Sequence, residues 1–186
     1  MLQIYPPEIA VIGGKQYRIN TEYLCWMSIQ QIFSEPNLTD WEKANIAITS
    51  AIGSIPLAYE EALEWLFGFL QCGEESRGES AAEKLIDWEK DFQAVWADFK
   101  LHYRLDIRTK YLHWWDFMAM LQSLPKESEI KRRISIRGID LSKIKDSETR
   151  EEYRKQKEMY SLDTLKGEDM DSMYSKARWK YARAKM

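Results

Sequence analysis

Few side chains in this sequence have the types and spacing that chemistry requires. The only histidines are His102 and His113, and Cys25 and Cys72 are far apart in the chain. A metal centre needs clustered His, Cys and carboxylate ligands, and nucleophilic catalysis needs a Ser or Cys beside a base. The sequence shows neither pattern, and it contains no glycine-rich phosphate-binding loop. We therefore predict a protein that is not an enzyme, with no catalytic residue, metal or cofactor.

The most distinctive element surrounds His113. The stretch Tyr111–Leu121 reads YLHWWDFMAML, and at about 100° per residue its apolar side chains surround the helix axis. This pattern is typical of a helix that is buried on most sides. We predict a core helix over residues 109–124, capped by Thr109 or Asp106. In that setting a histidine is more often a core or capping residue than a metal ligand.

The composition favours helices in a reducing compartment. Hydrophobic residues make up 45% of the 186 residues and aromatics 13%, with only 8 Gly and 5 Pro, which argues against disorder and against a loop-rich β-sandwich. Two cysteines cannot form a disulfide framework, so we expect reduced thiols. The first residues lack the features of a signal peptide and no apolar run could span a bilayer, so we expect neither export nor a membrane anchor.

Turn and capping signals divide the chain into a hairpin and several helices. Two β-prone runs flank Gly13-Gly14, which predicts a β-hairpin over residues 9–19. Thr39 and Glu42 match a capping box at the start of a helix that ends near Ile52. The fold class is therefore mainly α, with a single helical domain over residues 1–160 and a C-terminal helical extension over residues 161–186. Other helices are predicted from Asn20 or Thr21 to Phe33, over Leu57–Cys72 with Gly73 as its cap, over Lys90–Tyr103, over Glu129–Arg137 with Ser128 and Gly138 as its caps, and from Ser147 to Tyr160.

The extension has an amphipathic pattern over residues 170–185, with one apolar stripe and Trp179 on the opposite face. Such a stripe needs a surface, which could be the core of the same chain, a second copy or another protein. The residues predicted to bind a partner are Met173, Tyr174, Trp179 and Tyr181.

The charges are distributed unevenly. Residues 1–125 contain 10 basic and 18 acidic side chains, a net charge of −8, whereas residues 126–186 contain 17 and 12, a net charge of +5. The basic end could bind nucleic acid, but the pI of about 5.6 is low for that function. Acidic residues also interleave with the basic ones, so solvated helix faces are the simpler interpretation. The candidate phosphate-binding residues are Lys131, Arg132, Arg133, Arg137, Lys143, Lys145, Arg154, Lys155 and Lys157, with Trp179 and Tyr181 available to stack on bases.

Three blocks of the sequence resemble a known family in order and spacing. They are the stretch Tyr111–Pro125, with its uncommon His-Trp-Trp, then Ile139–Asp146, and then Tyr153–Lys157. Over roughly residues 9–160 the chain is similar to the bacteriophage gp-fifteen family, small proteins of tailed phages and prophages of Gram-positive bacteria.

The resemblance implies a non-enzymatic product of the phage tail gene region, located in the host bacterial cytoplasm. Its expected role is that of a tail assembly chaperone that keeps the tape-measure protein soluble while the tail tube assembles. A tape-measure protein is a long helical chain with exposed apolar faces, and helix-in-groove binding would cover them. Other tail proteins and self-association are further expected contacts, whereas nucleic acid is the less favoured alternative and no membrane contact is expected.

Overall fold

A computed structural model describes residues 5–74 and 85–162. In these ranges the chain forms a two-stranded antiparallel hairpin followed by seven α-helices, which confirms the predicted mainly helical fold class. Among these residues, none of the helices has the length and apolar character needed to cross a bilayer. The elements are β1 (Ile9–Ile12), β2 (Lys15–Arg18), α1 (Tyr23–Phe33), α2 (Asp40–Ile52), α3 (Tyr59–Leu70), α4 (Trp88–Tyr103), α5 (Trp114–Gln122), α6 (Glu129–Arg137) and α7 (Ser147–Met159), with a 3₁₀ turn at Leu141–Lys143.

The described residues belong to two compact units. Unit 1 contains residues 5–74 and 111–119, and unit 2 contains residues 85–110 and 120–162. The single domain predicted for residues 1–160 and the separate extension over 161–186 stay predictions. The predicted helix at 170–185 lies outside the described residues.

The hairpin of unit 1 follows from its two glycines. Gly13 and Gly14 have φ angles of 57° and 74°, which the tight turn requires and which glycine tolerates best. Ala10 and Ile12 are buried, whereas the alternate side chains of β1 are exposed. A Cβ atom on Gly13 would lie 2.9 Å from the Cβ of Ala58, so the turn is in close contact with the segment before α3.

Local signals also determine α2. The Thr39 hydroxyl accepts a hydrogen bond from the Glu42 N–H at 3.3 Å, and the Glu42 carboxylate accepts one from the Thr39 N–H at 2.8 Å. The predicted capping box is therefore confirmed. The helix ends at Ile52, followed by Gly53 in the left-handed conformation with φ of 79°.

Aromatic side chains form the core of unit 1. Tyr23 and Trp26 of α1 and Trp114 and Phe117 of α5 are fully buried. The Tyr23 and Phe117 rings stack with centroids 4.8 Å apart. The indole N–H of Trp114 donates to the Leu70 carbonyl at 3.1 Å, which satisfies its polar atom inside the core.

Helix α5 is shorter and less completely buried than predicted. It begins at Trp114 rather than near residue 109, so Thr109 and Asp106 do not cap it. The preceding residues are extended because the Trp114 N–H donates to the Thr21 carbonyl at 2.8 Å, which no local signal encodes. Its burial is one-sided: Phe117 is buried, whereas the side chains at 116 and 119 are exposed.

Unit 2 is built from α4, α6 and α7, with α6 in contact with each of the others. Ser128 precedes α6 as predicted, but its hydroxyl makes no capping hydrogen bond. The Asp98 carboxylate of α4 instead accepts from the N–H groups of Glu129 at 3.2 Å and Ile130 at 2.8 Å. Gly138 follows the end of α6 as predicted, but its φ is −79°, so it does not adopt the left-handed conformation in which glycine commonly closes a helix. Helix α7 has no buried residue.

Candidate protein-binding surface

His113 is a capping residue, as its sequence context predicted. Its ring is buried at the start of α5, where Nδ1 accepts a hydrogen bond from the Trp115 N–H at 3.0 Å. Its Nε2 lies 3.1 Å from the Pro7 carbonyl oxygen, which can only accept, so Nε2 carries the proton. Both ring nitrogens are therefore used to hold the backbone. Within the described residues, no group of three or more His, Cys, Asp or Glu side chains could hold a metal ion.

The two thiols are free and half-buried. Burial, with a smaller contribution from Glu22, raises the pKa of Cys25 to about 11, and burial with Glu74 does the same for Cys72. The thiolate is the nucleophilic form. At neutral pH both residues are therefore protonated and poorly reactive.

A buried ion pair occupies the middle of unit 2. The guanidinium of Arg137 donates to both carboxylate oxygens of Asp91, at 2.6 and 2.9 Å, and also to the carbonyls of Leu85 and Tyr160. Arg133 adds a longer contact to Asp91 at 3.3 Å. The Asp91 side chain is fully buried, so these contacts compensate a charge that would otherwise destabilise the fold.

Several of the basic residues predicted to contact phosphates are engaged within unit 2. Arg137 is only 7% exposed, and the Arg132 guanidinium donates to Glu129 at 2.7 Å. Lys157 donates to the Ile139 carbonyl at 2.8 Å, and Arg154 pairs with Glu151 at 2.7 Å. This arrangement favours solvated and structural charges over a phosphate-binding surface.

An open polar groove of about 680 Å³ lies beside the ends of β2 and α2 in unit 1. Arg18, Thr49 and Tyr111 are among its lining residues. The hydroxyls of Thr21 and Tyr111 hydrogen-bond to each other. The Asn20 N–H donates to the Ala51 carbonyl at 2.7 Å, so these polar groups join the strand end to the helix end.

The exposed apolar side chains around the hairpin are the strongest candidate for binding another protein. Ile9 and Val11 of β1 are 54% and 58% exposed, and Leu57, next to the residue that contacts the hairpin turn, is 91% exposed. We call Ile9, Val11, Ile55 and Leu57 the hairpin surface. Four large apolar side chains are thus exposed on the hairpin and on the segment that contacts its turn, and exposed apolar surface is typical of protein-binding sites.

The hairpin surface belongs to a strongly acidic unit. The described residues of unit 1 include three basic and ten acidic side chains, a net charge of −7, whereas those of unit 2 include 16 and 13, a net charge of +3. A potential of one sign over a surface attracts partners of the opposite charge. The hairpin surface is therefore suited to a partner that is both apolar and basic.

The residues predicted to bind a partner do not include the hairpin surface. Met173, Tyr174, Trp179 and Tyr181 lie outside the described residues and stay predictions. A sequence signal for the hairpin surface did exist: β1 reads IAVI, apolar on both faces, although a two-stranded hairpin on a helical core buries only one face.

Comparison with known protein families gives a match over most of the chain. A family model described as "Bacteriophage Gp15 protein" matches residues 7–162. No curated protein and no solved structure matches the chain. The matched range contains the hairpin, all seven described helices and the three blocks that suggested the family.

Proposed function

The chain belongs to the bacteriophage Gp15 family, and on that basis we propose that it is a tail assembly chaperone that binds the tape-measure protein. The family suggests a phage structural or morphogenesis protein. The more specific role requires a surface that can hold an apolar chain during assembly. A chaperone role also requires that the protein act by binding and not by catalysis.

The hairpin surface is the observation that carries this proposal. It presents four large aliphatic side chains to solvent on a unit with a net charge of −7. A chaperone for a long helical protein must cover apolar side chains while remaining soluble itself. An apolar surface in an acidic surrounding meets both requirements.

A binding role without catalysis is supported by the use of the buried polar side chains. His113 caps α5, Asp98 caps α6, and Asp91 is paired with Arg137. Each of these groups is engaged in holding the fold. We therefore also propose that the protein is not an enzyme and needs no cofactor.

Co-expression with the tape-measure protein of the same phage tests the proposal. The expected result is that the tape-measure protein becomes soluble and copurifies with the full chain. A variant with Ile9→Ser and Leu57→Ser should reduce the recovered complex about tenfold, because buried apolar contacts supply most of the binding energy.

Leu101→Ser is the matched control, since Leu101 is 74% exposed but belongs to unit 2. It should leave recovery of the complex unchanged. If the tape-measure protein stays insoluble with the wild-type chain and nothing copurifies, the chaperone role is wrong.

A further inference from the structure

We propose that the outer edge of β1 binds an extended basic segment of the partner protein, which joins the hairpin as a third strand. The inference rests on the proposed function and deepens it, because it states how the partner is held and what chemistry it must have. Strand addition combines backbone hydrogen bonds, which give affinity, with side-chain contacts, which give specificity.

The backbone of β1 has hydrogen-bonding groups available at this edge. Ile12 and Lys15 flank the two-residue turn and form the first hydrogen-bonded pair of the hairpin. Along an antiparallel pair of strands, hydrogen-bonded and non-hydrogen-bonded residue pairs alternate. The Ile19 N–H donates to the Glu8 carbonyl at 2.9 Å, which confirms this alternation. The N–H and C=O groups of Ile9 and Val11 therefore point away from β2. Within residues 5–74 and 85–162 they have no hydrogen-bond partner.

The side chains of β1 do not protect the edge. Natural edge strands are commonly guarded by a Lys or Pro that prevents pairing with another chain. The four residues Ile9–Ile12 include neither, and Ile9 and Val11 are both more than half exposed. An added strand would cover these two side chains on the outer face and satisfy the backbone groups beside them.

Leu57 lies in the segment that contacts the turn end of β1. It precedes Ala58, which is in close contact with Gly13 of the turn. Its side chain is 91% exposed. Leu57 is therefore a further exposed aliphatic side chain in the segment that contacts the hairpin turn.

The charge of unit 1 distinguishes between two possible binding partners for the β1 edge, a basic segment and a second copy of the chain. The described residues of unit 1 have a net charge of −7, with Glu8 directly before β1 and Glu60 and Glu61 in the first turn of α3, whereas the two basic side chains of the hairpin, Lys15 and Arg18, belong to β2. A second copy that paired through the same edge would bring two such units together, and like charges repel. A segment that alternates apolar residues with Lys or Arg gains attraction at the same place. The edge therefore selects a basic partner segment over a second copy of the chain.

The test uses the full chain and overlapping peptides from the tape-measure protein, each about 15 residues long and so long enough to form a strand. Fluorescence anisotropy with labelled peptides gives Kd. The peptides that bind should be rich in Lys or Arg with alternating apolar residues. Raising the salt concentration should weaken their binding, because ions screen the attraction between charges.

Proline substitutions test the role of the backbone. Val11→Pro removes an N–H that points away from β2 and leaves the pairing of the hairpin in place. It should raise Kd about tenfold, the equivalent of about 1.4 kcal/mol. Gln16→Pro is the matched control, because it removes the outward N–H of β2 at the opposite edge. That variant should keep Kd within about twofold of wild type.

Charge substitutions at Val11 leave the backbone N–H in place. They therefore test the inference even if the Val11→Pro variant does not fold. Val11→Lys should weaken binding more than Val11→Glu, because only the lysine repels a basic segment. Thermal unfolding of each variant shows whether the fold is retained.

The outcomes separate this inference from the proposed function. If the tape-measure protein copurifies with wild type but all Val11 variants bind as wild type does, strand addition is overturned and the chaperone role stands. If wild type does not bind the tape-measure protein, both are overturned. Self-association of the chain that Val11→Pro abolishes would place a second copy on the edge and overturn the choice of a basic partner.

Discussion

At the scale of single residues, Asp91 is the clearest determinant of stability in unit 2. Burial alone would raise its pKa, but hydrogen bonds from Arg137 outweigh burial and hold the pKa below its usual range. At pH values above the unfolded pKa of about 3.9, the ion pair therefore stabilises the fold, and this stabilisation is lost as the pH falls through the lower pKa of the folded state.

Asp91→Asn should cost about 3–5 kcal/mol at pH 7, because it leaves Arg137 buried without a counter-ion. Urea unfolding measures this loss, and repeating it at falling pH should show a smaller acid destabilisation in the variant. An equal acid destabilisation in both proteins would contradict this assignment.

A second residue-scale prediction concerns Arg104, which ends α4. Its φ is 53°, a left-handed conformation that is unfavourable for any residue with a Cβ atom. Arg104→Gly should stabilise the protein by about 0.5–1 kcal/mol, because glycine adopts this conformation without steric cost. The exposed Gln93 in the middle of α4 provides the control. Gln93→Gly should destabilise by about 0.5–1 kcal/mol. Thermal unfolding compares the two, and a loss of stability in both variants would argue against strain at Arg104.

At the scale of elements, the start of α6 shows that a residue distant in the sequence can cap a helix in place of the residue next to it. Ser128 has the sequence position of a cap, yet its buried hydroxyl has no hydrogen-bond partner in the described structure. The Asp98 carboxylate of α4 takes that role. Asp98→Ala should therefore cost about 1–3 kcal/mol, whereas Ser128→Ala should leave the free energy of unfolding unchanged or raise it, because it removes a buried hydroxyl that has no partner. Chemical denaturation distinguishes them, and the reverse order would restore Ser128 as the cap.

The elements that the sequence predicted well are those whose determinants lie within a few residues. Gly13-Gly14 determines the hairpin, and Thr39 with Glu42 determines the start of α2. The start of α5 was misplaced because Thr21, distant in the chain, holds the backbone before Trp114 in an extended conformation. Asp98 was missed for the same reason. The hairpin surface could have been found from β1, since its apolar residues exceed what one face of a hairpin can bury.

At the scale of the whole molecule, the charge pattern argues against the nucleic-acid alternative. The net charge is −3, and the most basic described region uses Arg137, Arg132 and Lys157 in contacts within unit 2. We expect no tight binding to a labelled DNA duplex or RNA strand at low salt. A gel-shift titration over a range of salt concentrations tests this prediction. Val11→Lys, which adds one positive charge outside the basic region, shows how much a single added charge changes the binding. Tight binding that weakens steeply as salt rises would revive the nucleic-acid function.

The late position of α5 in the sequence of unit 1 has a consequence for synthesis on the ribosome. In the described part of the chain, unit 1 is discontinuous in sequence, because it combines residues 5–74 with residues 111–119. A nascent chain that ends before Trp114 leaves the Tyr23 ring without Phe117 of α5, which stacks on it in the folded core. Residues are added at about 5–20 per second, so the first three helices wait for seconds before unit 1 can close. During that interval the apolar core of the emerging chain is itself open to aggregation or to a host chaperone.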